Sequence, residues 1–178
     1  MCFRNRGEPQ LVARLRLRCG PQLGHGHPVL AEAILDQPFL TGRRASHELA
    51  LLAVTRDREL GVDLEWHRPD VDLASVARSS FSAAEQQALL ALPPADRFIA
   101  FYRVWTRKES YIKARGEGLS MPLERFSVSL DGGPEIGFEP DDASEAARWS
   151  IRALAIDPGY SAALTITSPC PPLVMRAP

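Results

Sequence analysis

The chain has 178 residues, enough for one compact domain or two small lobes with a shared core, but too few for two independent enzymes. Its hydrophobic share of 45% and charged share of 24% are typical of soluble globular proteins and exclude a disordered, fibrous or membrane class. The 21 basic and 22 acidic residues leave a net charge of −1, so no overall field favours nucleic acid or an acidic membrane as a partner. We expect a monomer with a single active site.

The cysteines Cys2, Cys19 and Cys170 are far apart and odd in number, which predicts neither a disulfide framework nor a zinc cluster. Arginines interrupt the apolar residues at the start of the chain, so no signal peptide is predicted. No later stretch approaches the ~20 apolar residues that a membrane span needs. These features predict a cytoplasmic protein.

The first predicted elements are a half-buried strand at residues 11–19, where apolar and polar side chains alternate, and a short helix at residues 29–35. Residues 49–54 form an apolar run, and residues 60–65 alternate apolar side chains with Gly, Asp and Glu. A polar turn separates these two runs, so we predict a β-hairpin.

Helices are predicted next, over residues 73–78 and from Ser82, where Glu85 completes a capping-box signature, to about residue 92. The longest covers residues 96–115, because apolar side chains recur at helical spacing and no Gly or Pro interrupts them. Strands separated by turns are predicted at 126–130, 149–156 and 161–166. The proline-rich tail that follows is expected to fray.

The helix at residues 96–115 carries charged residues in its core-facing stripe, where Lys108, Glu109 and Lys113 continue the face that the aromatic residues begin. One interpretation is a surface ion pair between Glu109 and Lys113 at i,i+4, which contributes only about 0.3 kcal/mol. The other is a functional site. Taken alone, the helix pattern favours the surface pair.

Asp63 and Glu65 lie on one face of the predicted strand and repel each other, unless the strand is a solvated edge or the acids bind a cation. If Glu109 joins them, three carboxylates need a cation to stay ionised, and oxygen-only ligands suit Mg²⁺ better than zinc. Such a Mg²⁺ completes its shell with water and phosphate oxygens, which predicts a phosphate-bearing substrate. Lys108 and Lys113 are then candidate phosphate donors, or one of them a proton acceptor.

Four segments together resemble the Sfp-type 4′-phosphopantetheinyl transferases, whose signatures have the forms GxDxE and WxxKExxxK in this order. They are Gly61-Val-Asp-Leu-Glu65, Phe81-Ser82, Val104-Trp-Thr-Arg-Lys-Glu-Ser-Tyr-Ile-Lys113 and Gly118-Leu-Ser-Met-Pro122.

This resemblance implies an α+β fold with two lobes related by a pseudo-twofold, each a small antiparallel sheet packed with helix, and coenzyme A bound between them. Residues 1–66 are then the N-terminal lobe, residues 67–168 the C-terminal lobe and residues 169–178 a proline-rich tail. Only 60 residues precede Gly61, fewer than in the family, which implies an abbreviated first lobe.

The resemblance also implies roles for the charged residues. Asp63, Glu65 and Glu109 correspond to the Mg²⁺ ligands. Lys113 resembles the lysine that neutralises the pyrophosphate or takes the proton from the attacking serine, and Glu65 acting through water is the alternative base.

Further residues resemble the family's contacts to its substrates. Ser46 and His47 resemble a Ser-His pair that contacts the phosphates of coenzyme A, and Arg43 and Arg44 replace an upstream element with no clear counterpart. Candidates for contact with a carrier protein are Phe81, Leu89 and Leu90, for which ordinary core packing is the alternative.

The implied activity is Mg²⁺-dependent transfer of 4′-phosphopantetheine from coenzyme A to a serine of an apo carrier protein, with release of adenosine 3′,5′-bisphosphate. The carrier would serve fatty acid, polyketide or nonribosomal peptide assembly. Two alternatives remain: a noncatalytic remnant that binds metal or carrier, and a Mg²⁺-dependent hydrolase of nucleotide pyrophosphates.

Overall fold

The computed structural model describes residues 11–15, 39–47, 49–56, 58–117, 120–133 and 136–176. The predicted helix at 29–35 lies outside these residues. The strands are β1 Leu11–Leu15, β2 Phe39–Ser46, β3 Leu49–Arg56, β4 Leu60–Trp66, β5 Phe126–Val128, β6 Phe138–Pro140, β7 Trp149–Ala153, β8 Tyr160–Thr167 and β9 Leu173–Arg176. The helices are α1 Leu73–Ser80, α2 Ala83–Ala91, α3 Pro94–Arg115 and α4 Ala143–Arg148, with a 3₁₀ turn at Leu123–Arg125.

The strands form small sheets in the orders β2-β3-β1-β9, β4-β8-β7 and β5-β6. Their pairs are antiparallel except for β1 and β9, which run parallel. Helices pack against these sheets, and α3 lies over β4, β8 and β7. The predicted α+β class is confirmed.

The predicted hairpin of residues 49–54 and 60–65 is wrong, because its two strands belong to different sheets. β3 pairs with β1 and β2, whereas β4 pairs with β8 along its whole length. Leu51 of β3 packs in one buried cluster with Val62 and Leu64 of β4, so the two runs meet through their side chains. One face of β4 meets α3 and the other packs on the side chains of β3, so its hydrogen-bonding neighbour is the apolar strand β8 and not the strand that precedes it.

The tail also differs from its prediction. Residues Leu173–Arg176 form the edge strand β9 beside β1, where the parallel pairing satisfies part of their backbone groups, so this part of the tail is ordered as a strand.

Helix α3 confirms the strongest helix prediction. It begins with Pro94 at the first helical position, where a missing N–H costs nothing, and ends at Gly116 in the left-handed conformation. Phe101, Tyr111 and Ile112 are at most 3% exposed and pack into a buried aromatic cluster. None of the described helices combines the length and the apolar character that crossing a bilayer would require.

The backbone of α3 makes an unusually close approach to β4 at Gly61. A Cβ atom at this position would lie 2.3 Å from the carbonyl oxygen of Ser110 and 2.3 Å from the backbone nitrogen of Ala114. Beside this contact, the hydroxyls of Ser110 and Thr165 form a buried hydrogen bond of 2.8 Å that joins α3 to β8. The absence of a side chain at residue 61 therefore sets the distance between the strand and the helix.

We predict that Gly61→Ala lowers the free energy of unfolding by about 3 kcal/mol, because rigid helix backbone must move to admit the methyl group. The matched control is Gly137→Ala, whose Cβ would lie 3.5 Å from the Ser129 Cβ in ordinary contact. Urea unfolding of both variants checks the prediction. Equal stabilities for the two variants would show that the close approach is not a constraint.

Candidate active site

Acidic side chains of β4 and α3 converge on the amino group of Lys113. This ammonium forms an ion pair with Asp63 and lies 3.2 Å from the Glu109 carboxylate, one helical turn away. Asp63 is fully buried, Glu109 is 7% exposed, and the Lys113 side chain is 27% exposed. The predicted convergence of the strand and the helix is therefore present for Asp63 and Glu109.

Glu65 lies two residues along β4 from Asp63, on the same face of the strand. Its carboxylate accepts a hydrogen bond of 3.4 Å from the Ser46 hydroxyl, which itself accepts one of 2.9 Å from the Trp66 amide. The His47 ring packs 4.2 Å from the Trp66 ring, centroid to centroid. The structure thus brings Ser46 and His47 beside the acidic strand.

Within the described parts of the chain, no three His, Cys, Asp or Glu side chains are arranged as a metal-binding group. The Lys113 ammonium, which contacts Asp63 and Glu109, already balances part of their charge. The donor chemistry nevertheless fits a hard divalent cation, because Asp63, Glu65 and Glu109 offer only carboxylate oxygens. This set of oxygens excludes a zinc-type site of nitrogen and sulfur ligands.

Lys108 points away from these acids, which corrects its prediction as a phosphate contact. Its side chain is fully buried, and its amino group lies 2.8 Å from the Glu85 carboxylate. It also donates to the carbonyl oxygens of Leu123 and Phe126, at 2.8 and 2.5 Å. Burial lowers the pKa of Lys108, and the Glu85 carboxylate opposes that effect. The Lys108 ammonium therefore has three partners, and all of them lie in the protein interior.

Glu85 is the residue whose importance the sequence reasoning missed. Besides binding Lys108, its carboxylate accepts hydrogen bonds of 2.8 Å from the backbone N–H groups of Ser82 and Val128. It thereby joins α2, α3 and β5. The capping box located Glu85 correctly, but that motif does not show that the same carboxylate faces a buried lysine.

The carrier-contact candidates occupy different environments. Phe81 is 1% exposed and stacks on Phe101 with ring centroids 5.1 Å apart, so the alternative of core packing applies to it. Leu89 is partly buried against the same cluster, whereas Leu90 is 66% exposed. Arg43 and Arg44 lie in β2, for which the structure describes the backbone at these positions but not the side chains.

A family model described as the 4′-phosphopantetheinyl transferase superfamily matches residues 59–165, a segment that includes both β4 and α3. The chain belongs to this superfamily. The resemblance predicted from the GxDxE and WxxKExxxK signatures is thereby confirmed.

Curated transferases of this superfamily match the same region. The chain is 35% identical over 141 residues to 4′-phosphopantetheinyl transferase HetI of Nostoc sp., covering 79% of this chain and 57% of that protein. It is 36% identical over 110 residues to 4′-phosphopantetheinyl transferase Sfp of Bacillus subtilis, covering 62% of this chain and 47% of that protein. The chain therefore spans about half the length of the curated relatives it matches.

We predict that Lys108→Met lowers the free energy of unfolding by about 3 kcal/mol, because it leaves the buried Glu85 carboxylate without its cation. Adding Glu85→Gln to this variant should restore part of the loss, since the buried negative charge is then removed as well. Arg125→Met is the matched control, because Arg125 forms an exposed ion pair with Asp141. Denaturant unfolding measures all three, and a Lys108→Met variant as stable as the control would contradict the prediction.

Proposed function

We propose that the protein transfers 4′-phosphopantetheine from coenzyme A to a serine of an apo carrier protein, with release of adenosine 3′,5′-bisphosphate. The observation that carries this proposal is the contact of Asp63 and Glu109, one from each signature of the superfamily, with the same amino group. Two buried carboxylates and a more exposed ammonium can together position a cation and a phosphate group. We take the protein to act as a cytoplasmic monomer.

In this proposal Asp63, Glu65 and Glu109 hold Mg²⁺, which when bound neutralises the negative charge that develops on the pyrophosphate. Lys113 would neutralise negative charge on a phosphate group of the substrate. Its side chain is 27% exposed, more than those of Asp63 and Glu109, so it is more accessible to an incoming phosphate than these two acids. Its four-carbon stem gives the ammonium freedom to leave the carboxylates for a phosphate oxygen.

The reaction is a displacement at the phosphorus next to pantetheine. The serine oxygen forms a new bond to this phosphorus, the bond to the bridging oxygen of adenosine 3′,5′-bisphosphate breaks, and the serine proton passes to a base. In its role as a phosphate contact Lys113 is an ammonium, which has no electron pair to accept a proton. We therefore propose Glu65, acting through water, as the base.

Ser46 and His47 are proposed as contacts to the phosphates of coenzyme A, because Ser46 donates a hydrogen bond to Glu65 and His47 packs on Trp66, the next residue of β4. Arg43 and Arg44 are proposed with them because they precede Ser46 on the same strand, β2. For the carrier protein we propose contact with the exposed Leu90 and the partly buried Leu89 of α2.

We predict that Asp63→Asn and Glu109→Gln each slow transfer by at least about 100-fold, because each removes a charged oxygen ligand while keeping the side-chain volume. The control is Glu139→Gln, which changes an exposed acid on β6. Mass spectrometry of an apo carrier protein incubated with coenzyme A and Mg²⁺ gives the rate.

The same assay separates the alternative functions. A wild-type protein that makes the carrier heavier by one phosphopantetheine supports the proposal. Free phosphopantetheine with an unmodified carrier would indicate a pyrophosphate hydrolase, and no product would indicate a noncatalytic remnant.

We also predict that Lys113→Gln lowers the free energy of unfolding by about 2 kcal/mol without metal, because two buried carboxylates lose their cation. Mg²⁺ should then raise the melting temperature of this variant more than that of the wild type, since it restores the missing positive charge to the folded state. Thermal unfolding with and without Mg²⁺ measures the effect, and Arg125→Gln is the surface control. An equal Mg²⁺ response in wild type and variant would refute this role.

A further inference from the structure

A cavity of about 240 Å³ lies between α3 and the turn that joins β7 to β8. Its lining includes the polar residues Arg103, Arg107 and Ser161 and the apolar residues Leu154 and Ile156. Arg103 and Arg107 are four residues apart and form one row along α3, whereas Glu109 and Lys113 form another. The cavity lining therefore contains none of the acidic cluster, although Ser161 lies directly opposite Glu65 in the β4–β8 pairing.

The charge of this cavity is unbalanced. No described residue forms a hydrogen bond or an ion pair with the guanidinium of Arg103. Arg107 is buried and donates hydrogen bonds to the backbone carbonyls of Ser129 and Asp131, the latter at 2.6 Å. The carboxylate of Asp131 lies 4.0 Å from Arg107 and is 66% exposed, so it is directed largely to solvent. Two guanidinium groups thus line the cavity, with one peripheral carboxylate.

The positive charge of Arg103 contributes to the lowered pKa of two neighbouring residues, His67 and Arg107. Burial, and secondly the charge of Arg103, lowers the pKa of His67. Burial lowers the pKa of Arg107 to about 10, where Asp131 opposes the effect and Arg103 adds to it. Both residues therefore lie close enough to Arg103 for its charge to act on them.

Ser161 supplies a neutral hydrogen-bonding group to the same cavity. Its hydroxyl lies 2.8 Å from Nε2 of His67. When the neutral imidazole carries its proton on Nε2, the Ser161 oxygen accepts that hydrogen bond and its own hydrogen is available to the cavity. On the other side, a Cβ atom at Gly132 would lie 3.3 Å from Nη2 of Arg103, so the loop closely covers the guanidinium.

We propose that this cavity binds a small oxyanion, a phosphate or carboxylate group, through the guanidinium of Arg103 and the hydroxyl of Ser161. A planar guanidinium with free donors matches the oxygen geometry of both groups. The cavity is smaller than the ~300 Å³ at which sites for drug-sized ligands begin, so it admits one such group or a short-chain acid. Leu154 and Ile156 give a short alkyl chain an apolar wall. None of Asp63, Glu65, Glu109 and Lys113 lines the cavity, so the inference does not depend on the proposed transfer reaction.

The test is a titration of the whole chain with inorganic phosphate and, separately, with butyrate, followed by two-dimensional NMR of the backbone amides. We expect saturable shifts at Gly132 and Ser161. Arg103→Met should weaken binding at this position at least about tenfold, the loss of one charge-assisted hydrogen bond. Arg78→Met, which removes an exposed arginine of α1, should bind as the wild type does.

The two ligands identify the source of the anion. Tighter binding of phosphate indicates a phosphorylated metabolite, and tighter binding of butyrate a short-chain carboxylic acid. The Lys113→Gln variant removes the ammonium of the acidic cluster and should leave the shifts at Gly132 and Ser161 intact. Absence of saturable shifts with both ligands, or unchanged affinity in a folded Arg103→Met variant, would overturn the proposal.

Discussion

The backbone contact between β4 and α3 at Gly61 is the constraint on which the candidate site depends. Strand alternation places residues 61, 63 and 65 on one face, so a glycine that admits the helix backbone necessarily presents Asp63 to the same helix. At this separation Asp63 is fully buried and within reach of Lys113. The glycine and the two acids of the GxDxE signature are therefore one structural feature.

Burying acids between a strand and a helix requires compensating positive charge, and α3 supplies it in two directions. Lys108 and Glu109 are consecutive, so their side chains diverge by about 100° around the helix axis. Lys108 enters the interior and binds Glu85, while Glu109 turns toward β4 and meets Lys113. Adjacent residues of one signature thus have different roles. Lys108 holds α3 against α2 through Glu85, and Glu109 belongs to the proposed active site.

Local spacing predicted α3 and the shared strand face of Asp63 and Glu65, whereas the convergence of Glu109 on Asp63 was implied by the family resemblance. Local spacing failed where the outcome depended on a distant residue. The direction of Lys108 is decided by Glu85 on another helix, and the pairing of β4 is decided by β8, far along the chain. The residue spacing of α3 and β4 carries no information about these distant partners, so it could not predict them. Amphipathic periodicity could be predicted because it lies within the segment itself.

The most direct measurement of the central claim is the position of Mn²⁺, located by anomalous X-ray scattering in crystals grown with coenzyme A. The account predicts one Mn²⁺ about 2.1 Å from carboxylate oxygens of Asp63, Glu65 and Glu109, with the Lys113 ammonium moved onto a phosphate oxygen. Mn²⁺ bound elsewhere, with Lys113 still in contact with Asp63 and Glu109, would contradict it.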